Sequence, residues 1–442
     1  MKPIDKEILR LALPSILANI TVPLVGMVDI AVAGHLSASA AALIGGISVG
    51  SLMFDMLYWN FGFLRAGTGG MTAQAYGRED WSGCRSLLLR GVGTALLISL
   101  AILLIQWPFQ KLVFLLVNCS EEVKSLALKY FYIRVWAAPA TLSLMAFRGW
   151  FIGMQDTFSS MLTDVIVNGV NILASILLAL GIPGTGFDGI GFSGIAWGTI
   201  IAQYTGLVFA TGIVTVKYRQ IIRLPAGNAS ERLSALSGRV NGDLFIRSLC
   251  LMVVYLAFTA ISARFGDVLL AMCSIMMKLM MIFSFFTDGF AFAGEALTGR
   301  FIGMQRSDLL REGVRHTFAW SLGIGLLFVA IYLVSGMGMF RMMTSDTSVI
   351  DSAGAFLGWL VLMPLIGCPA FTWDGIFIGA TETRILRNST IGCLVSFLAV
   401  WFAGMVFKPQ GNALVHLLFA AYYSHLIFRS VYLTFNYRSI RK

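Results

Sequence analysis

Twelve times along this chain the residues turn apolar for long enough to cross a lipid bilayer. The runs fall at roughly 8–36, 42–76, 87–117, 123–153, 158–181, 190–215, 245–264, 268–303, 312–340, 349–380, 387–406 and 413–436. A span needs about 20 predominantly apolar residues, and only a helix or a closed barrel satisfies its own backbone polar groups in hydrocarbon. The chain has 442 residues, of which 57% are hydrophobic and 12% charged. Soluble domains carry about 25% charged residues, so a chain this apolar has no way to cover its surface in water. The fold class expected is an all-α membrane protein with twelve transmembrane helices. Several runs are longer than a bilayer requires and must tilt, kink or project. The first apolar run contains Pro14 and Pro23 and lacks a small-residue cleavage site, so it reads as a span and not as a cleaved signal peptide.

The formal net charge is +10, which on composition alone would suit a nucleic-acid partner. The distribution argues against one, because the basic residues sit in short loops between apolar runs. Alternate loops and both termini hold about 20 of them, including Lys2, Arg10, Arg78, Arg90, Lys217, Arg232, Arg300, Arg315, Arg387, Arg438, Arg441 and Lys442. The opposite loops hold about five: Lys111, Lys124, Arg264, Arg341 and Lys408. Lysine and arginine accumulate on the cytoplasmic side. Both termini are therefore expected in the cytoplasm, which requires an even number of spans and agrees with twelve. The longest polar stretch, 217–244, divides the chain into an N-terminal six-helix lobe (1–216), a cytoplasmic linker (217–244) and a C-terminal six-helix lobe (245–442).

The two halves repeat. GWFIGMQDT at 149–157 returns as GIFIGATET at 375–383, and TAQAYG at 72–77 as TGRFIG at 298–303, both 226 residues later. Ser120 and Pro139 find counterparts in Ser345 and Pro364 at an offset of 225. Six helices repeated once, each copy starting on the same side, give two lobes related by an axis along the membrane normal. Such repeats are a signature of secondary transporters.

These segments resemble the multidrug and toxic compound extrusion (MATE) transporters, and within them the DinF-like branch. The resemblance is carried by LRLALPSILANITVPLVGMVDIAVAGHL (9–36), FLRAGTGGMTAQAYG (63–77), RSLCLMVVYLAFTAISARFG (247–266), TDGFAFAGEALTGRFIG (287–303) and WDGIFIGATETRILRNS (373–389), and it extends over essentially the whole chain. It implies a V-shaped pair of lobes that open alternately to each side. It also implies export of amphipathic, usually cationic, organic compounds driven by inward flow of protons or sodium. A bacterial inner membrane location follows from the same resemblance, and no cofactor beyond the coupling ion is implied. A monomer suffices for this plan.

An ionisable residue within a span costs at least about 2.5 kcal/mol at mid-membrane, so each one needs a partner, a wet cavity or a role. Asp29 stands first. It lies midway along the first span, after Pro23, which removes a backbone donor and favours a bend. Burial penalises charge, so a carboxyl there is a candidate for binding and releasing a proton in the physiological range. The resemblance assigns it the coupling role. Asn168 and Asn171 are three apart on the fifth span and share a face. Asp164 lies one turn before them, and Thr199 on the sixth span matches a common family threonine. Where some relatives place an acid one turn beyond the second asparagine, this chain has Ser175, which favours protons over sodium. Interhelical hydrogen bonding is the structural alternative for this group.

In the second lobe the embedded acids are Asp374, Asp288 and Glu295. Asp374 is the repeat counterpart of Arg148. The seventh span carries no acid, only Arg247 at its start, which again moves the coupling site toward the first lobe. Arg65, Arg148 and Lys278 are the expected salt-bridge partners of the acids, with Arg300 a further partner for Glu295. Met27, Phe54, Met280 and Phe286 are candidates for lining a cavity that accepts varied apolar cations, with plain packing as the alternative.

Enzymatic readings fail on context. GISVG (46–50) fits a nucleophile elbow, but it lies in an apolar helix with no strand before it. GTGFDG (184–189) fits a dinucleotide turn but follows Pro183 in a hairpin between spans. Six cysteines show no CxxC pair or metal spacing, so no metal site is expected. A lipid or lipid-linked oligosaccharide flippase of the same superfamily is the alternative to drug export.

Overall fold

The structure is a computed structural model that describes residues 2–36, 40–117, 119–182, 184–224 and 231–440. Residues 225–230 of the expected linker, Pro183 before the hairpin, and the basic residues Arg441 and Lys442 lie outside the described residues, as does the side chain of Arg232. Among the described residues everything regular is helical, apart from one isolated bridge between Ile182 and Phe187.

The helices are α1 (Pro3–Gly34), α2 (Ala40–Tyr58), α3 (Phe63–Gly77), α4 (Trp81–Leu116), α5 (Glu121–Arg134), α6 (Ala138–Gly153), α7 (Thr157–Leu180), α8 (Phe192–Lys217), the single turn α9 (Arg219–Ile222), α10 (Glu231–Ser262), α11 (Asp267–Gly303), α12 (Ser307–Met343), α13 (Thr347–Gly379), α14 (Thr383–Met405) and α15 (Asn412–Ile440). Among the described residues eleven helical rods are long and apolar enough to cross a membrane. The twelfth expected span, 123–153, is α5 and α6 joined by a 3-10 turn at Val135–Ala137. Pro139 explains the break, since it cannot donate to the carbonyl of Val135. That carbonyl instead accepts from the Ala138 amide in the tighter turn. Backbone angles at Arg134, Ala137 and Ala138 stay in the right-handed helical region, so the chain runs on through the joint.

Two compact units contain these helices. One comprises Leu17–Arg232, and in it α3 packs on α6, α4 on α6, α2 on α5, and α7 on α8. The other comprises Met1–Ile16 with Leu233–Lys442, where α11 packs on α13, α12 on α13, and α14 on α15. The opening turns of α1 belong to this second unit. There Asp5 accepts from His316 Nδ1 at 2.8 Å and from Trp320 Nε1 at 3.0 Å, and Glu7 pairs with Arg300 at 3.4 Å. Arg300, expected to pair with Glu295, is thus engaged by Glu7.

The sequence repeat is also a repeat of close contacts. A Cβ on Gly149 would overlap the carbonyl of Arg65, and one on Gly153 would meet the carbonyl of Gly69. In the other unit Gly375 stands in the same way against Ala291, and Gly379 against Glu295. All four residues of the second set lie 226 positions after those of the first. Helices this close require small residues along the seam. The same offset links the left-handed turns that follow: Glu79 (φ 57°) with Gln305 (φ 58°), and Gln155 (φ 60°) with Thr381 (φ 56°).

Each helical hairpin needs its own fastening, and Asp156 supplies one. It caps α7 by accepting from the Ser159 amide at 3.3 Å. It also accepts from Lys217 Nζ and Tyr218 Oη, each at 2.7 Å. Burial is the largest single influence on this carboxyl and works against its ionised form. The hydrogen bonds from Lys217, Ser159 and Tyr218 together outweigh it and hold the carboxyl below the usual carboxylate range. Such a depression contributes stability that is fully present above the unfolded carboxylate pKa and is lost as the pH falls from there through the lower folded value. Asp156→Asn is therefore expected to cost about 1–3 kcal/mol at neutral pH. The deficit should shrink below pH ~4, as read by the fraction of protein left monodisperse after heating in detergent.

Candidate functional site in the first unit

The buried stripe of α7 runs through Thr163, Val167, Asn171, Ser175 and Ala179, spaced to keep one face against its neighbours. Asn171 Nδ2 donates to Thr199 Oγ1 on α8 at 3.1 Å. Thr199 in turn donates to the Ile195 carbonyl of its own helix. This approach of α7 and α8 is possible because Gly198 faces Ser175, where any Cβ would collide with the serine backbone. Asn168, three residues back, looks elsewhere and donates to Thr21 Oγ1 on α1 at 2.6 Å. The two asparagines thus join α7 to different helices.

Asp29 lies two turns beyond Thr21 on α1, and α1 continues helically through Pro23. It is only 5% exposed. Its Oδ1 atom is buried without a hydrogen-bond partner, as are Asn171 Oδ1 and Ser175 Oγ. Ser175 is its polar neighbour on α7, and Arg134 is the charged group that acts on it. Asp29, Ser175, Asn171 and Thr199 therefore form one polar nest across α1, α7 and α8, with oxygen capacity to spare. Unmet buried oxygens cost free energy unless something fills them. What fits here is small and able to meet an oxygen with hydrogen or with positive charge: a proton, a water molecule or a cation.

Asp164, one turn before Asn168, is turned away from this nest. Its carboxylate pairs with Arg148 of α6 at 2.5 Å, so Arg148, expected as a partner for the acids of the second lobe, is engaged within its own half by an acid one helix on. Phe54 is 2% exposed, with its ring against Phe131, Tyr58 and Tyr130. Met27 is exposed (66%) on α1. Arg134, the last residue of α5, was not among the cations named from the sequence. Its guanidinium lies over the Phe54 ring at 4.7 Å and donates to Tyr130 Oη at 2.8 Å. α5 begins with Glu121, Glu122, Lys124 and Lys129, which disguises it as a polar helix end. The usable signal was that Arg134 falls inside an apolar run and so needs a partner.

In the second unit Asp374 on α13 lies between two arginines. Arg247 of α10 and Arg429 of α15 both pair with it, with Arg429 Nε donating to Oδ1 at 2.8 Å. Arg429 is 3% exposed and was likewise not picked out from the sequence. Asp288 acts on both arginines, and Glu295 acts on Arg247. Met280 is buried in the apolar core of this unit, and Phe286 packs edge-on against Phe328 at 5.0 Å.

With two related halves and a charged nest in each, the comparisons with known proteins decide the family. Residues 14–177 and 244–406 match the MatE family model, one match in each half. The chain belongs to the MATE family. The DNA damage-inducible protein F of Escherichia coli (strain K12) is 33% identical over 391 residues, covering 87% of this chain and 83% of the relative. A probable multidrug resistance protein NorM of Pasteurella multocida is 22% identical over 419 residues, covering 92% of this MATE chain and 86% of the relative. Among solved structures, a crystal structure of a MATE protein in the bent conformation matches with a TM-score of 0.86 at 16% identity, covering 99% of this chain and 96% of the other. An outward-facing MATE family multidrug resistance transporter matches at 0.82 and 18% identity, covering 100% and 96%. This MATE protein is thus a multi-pass helical membrane protein.

Proposed function

We propose that this MATE protein is a secondary-active exporter of the bacterial inner membrane, with both termini cytoplasmic. It moves amphipathic organic cations outward in exchange for protons by alternating access. The single observation that carries the coupling role is Asp29. It is a carboxyl buried in the first unit, with one oxygen unpartnered, beside Ser175, and one turn from Ser175 on α7 the Asn171 Oδ1 atom is also unpartnered. Proton entry at Asp29 would change how α1 packs on α7 and weaken the hold on cargo, and proton release on the cytoplasmic side would reset it. The relatives named for multidrug resistance support the cargo class. Asp374, set between two arginines, is the weaker candidate for coupling because its charge is already matched.

Reconstitution in liposomes tests the proposal. A fluorescent lipophilic cation is followed under an imposed proton gradient and then under a sodium gradient. Uphill movement under the proton gradient is expected. Movement driven by sodium alone would overturn proton coupling, and no movement under either gradient would favour a lipid-flipping role, checked next with labelled lipid.

A further inference from the structure

The polar nest around Asp29 holds one full positive charge, and its placement is unusual. Arg134 does not hydrogen-bond the carboxylate's buried Oδ1. It is held instead by Tyr130 Oη at 2.8 Å and by the faces of Phe54 at 4.7 Å and Tyr130 at 5.5 Å. From there it acts electrostatically on Asp29 and on Tyr58. The groups that act on the carboxyl are thus Ser175 from α7 and Tyr130 and Arg134 from α5, with Tyr58 of α2 beside the guanidinium. Arg134 is the charged member of this set.

We infer that Arg134 is a tethered counter-cation for Asp29, and that it makes the nest selective for protons against sodium. The inference rests on the coupling role proposed for Asp29. A proton and a sodium ion bring the same charge, but they bind by different means. A proton forms a covalent O–H bond, with an intrinsic affinity for a carboxylate near 10⁴ per molar, as a pKa of about 4 states. It can therefore bind despite a nearby positive charge. Sodium has no covalent share and depends on the net field of its oxygen ligands. At this site the guanidinium opposes the field of the single carboxylate, and the position one turn beyond Asn171 is Ser175, which adds no second charge. Because aromatic rings hold Arg134 off the carboxylate, Oδ1 stays open to a proton. The cation is present, but it does not plug the site.

The test measures equilibrium binding of radioactive sodium to the purified full-length protein, which needs no transport. Five variants are compared with the parent: Arg134→Gln, Arg134→Met, Arg134→Lys, Asp29→Asn, and Arg134→Gln combined with Asp29→Asn. Each is first shown to be monodisperse by size exclusion. The parent and Arg134→Lys are expected to show no saturable sodium binding over the concentration range tested. Arg134→Gln and Arg134→Met are expected to gain saturable binding, at least about tenfold tighter, and the gain should vanish when Asp29→Asn is added, as two residues of one network require. Sodium-driven export should appear in the same two variants. Three results would overturn the inference: no gain in either neutral variant, a gain that survives Asp29→Asn, or Asp29-dependent sodium binding by the parent. Failure of the underlying coupling role is a separate result. It would appear as intact proton-driven export in Asp29→Asn alone, whatever Arg134 does.

Discussion

Asp29→Asn should lower proton-driven export by roughly tenfold or more, within the range by which a coupled site shifts a conformational equilibrium. Asparagine keeps the shape of the side chain and so preserves the packing of α1, but it cannot gain or lose a proton. Exchange of labelled for unlabelled cargo, which requires no net proton movement, should survive better than uphill export. The pair of measurements separates coupling from folding. If Asp29→Asn drives the lipophilic cation uphill as well as the parent does, Asp29 is a structural acid and the switch lies elsewhere. Loss of both uphill export and exchange would point to cargo binding instead of coupling.

The second large effect concerns stability. Asp374→Asn leaves Arg247 and Arg429 without the carboxylate that both contact. Removing one partner of a buried ion pair costs about 3–5 kcal/mol, because the remaining charge is stranded. The yield of monodisperse protein and its survival on heating should both fall sharply. Combining Asp374→Asn with Arg429→Gln should recover part of the loss, since deleting a pair is milder than breaking it. Asp288 also acts on both arginines, which should moderate the defect. A well-folded Asp374→Asn protein that had lost only its gradient dependence would instead place coupling in the second unit.

Much of the architecture was legible because it depends on long runs of similar residues. An apolar stretch of bilayer length is hard to mistake, and a 226-residue offset in GWFIG and GIFIG is visible without any structure. The broken span was less legible. Pro139 marks it in the sequence, but Pro364 sits inside α13, which continues as one helix. A proline alone therefore does not say whether the ladder tightens or simply loses one bond. The charged sites were partly legible. Arg148 and Asp164 are sixteen residues apart on consecutive helices, so their pairing follows from a hairpin. Arg429 and Asp374 come from helices with another between them, and Arg134 is held by rings on α2 and its own helix. Those partnerships depend on which helices end up adjacent, and that information is spread over the whole bundle.

The two units share their glycine seams and turns, yet the ion pairs among their helices have opposite polarity. α6 presents an arginine to an acid on α7, while its counterpart α13 presents an acid to arginines on α10 and α15. A duplicated protein assembling helix by helix in lipid risks trading helices of one copy for those of the other, because the seams alone would accept either. With this arrangement a misplaced α6 would meet Arg429 with Arg148, and a misplaced α13 would meet Asp164 with Asp374. Like charges facing each other in hydrocarbon are far costlier than in water. The reversed pair therefore works as a mating key that tells each half of the duplicated chain which helices are its own.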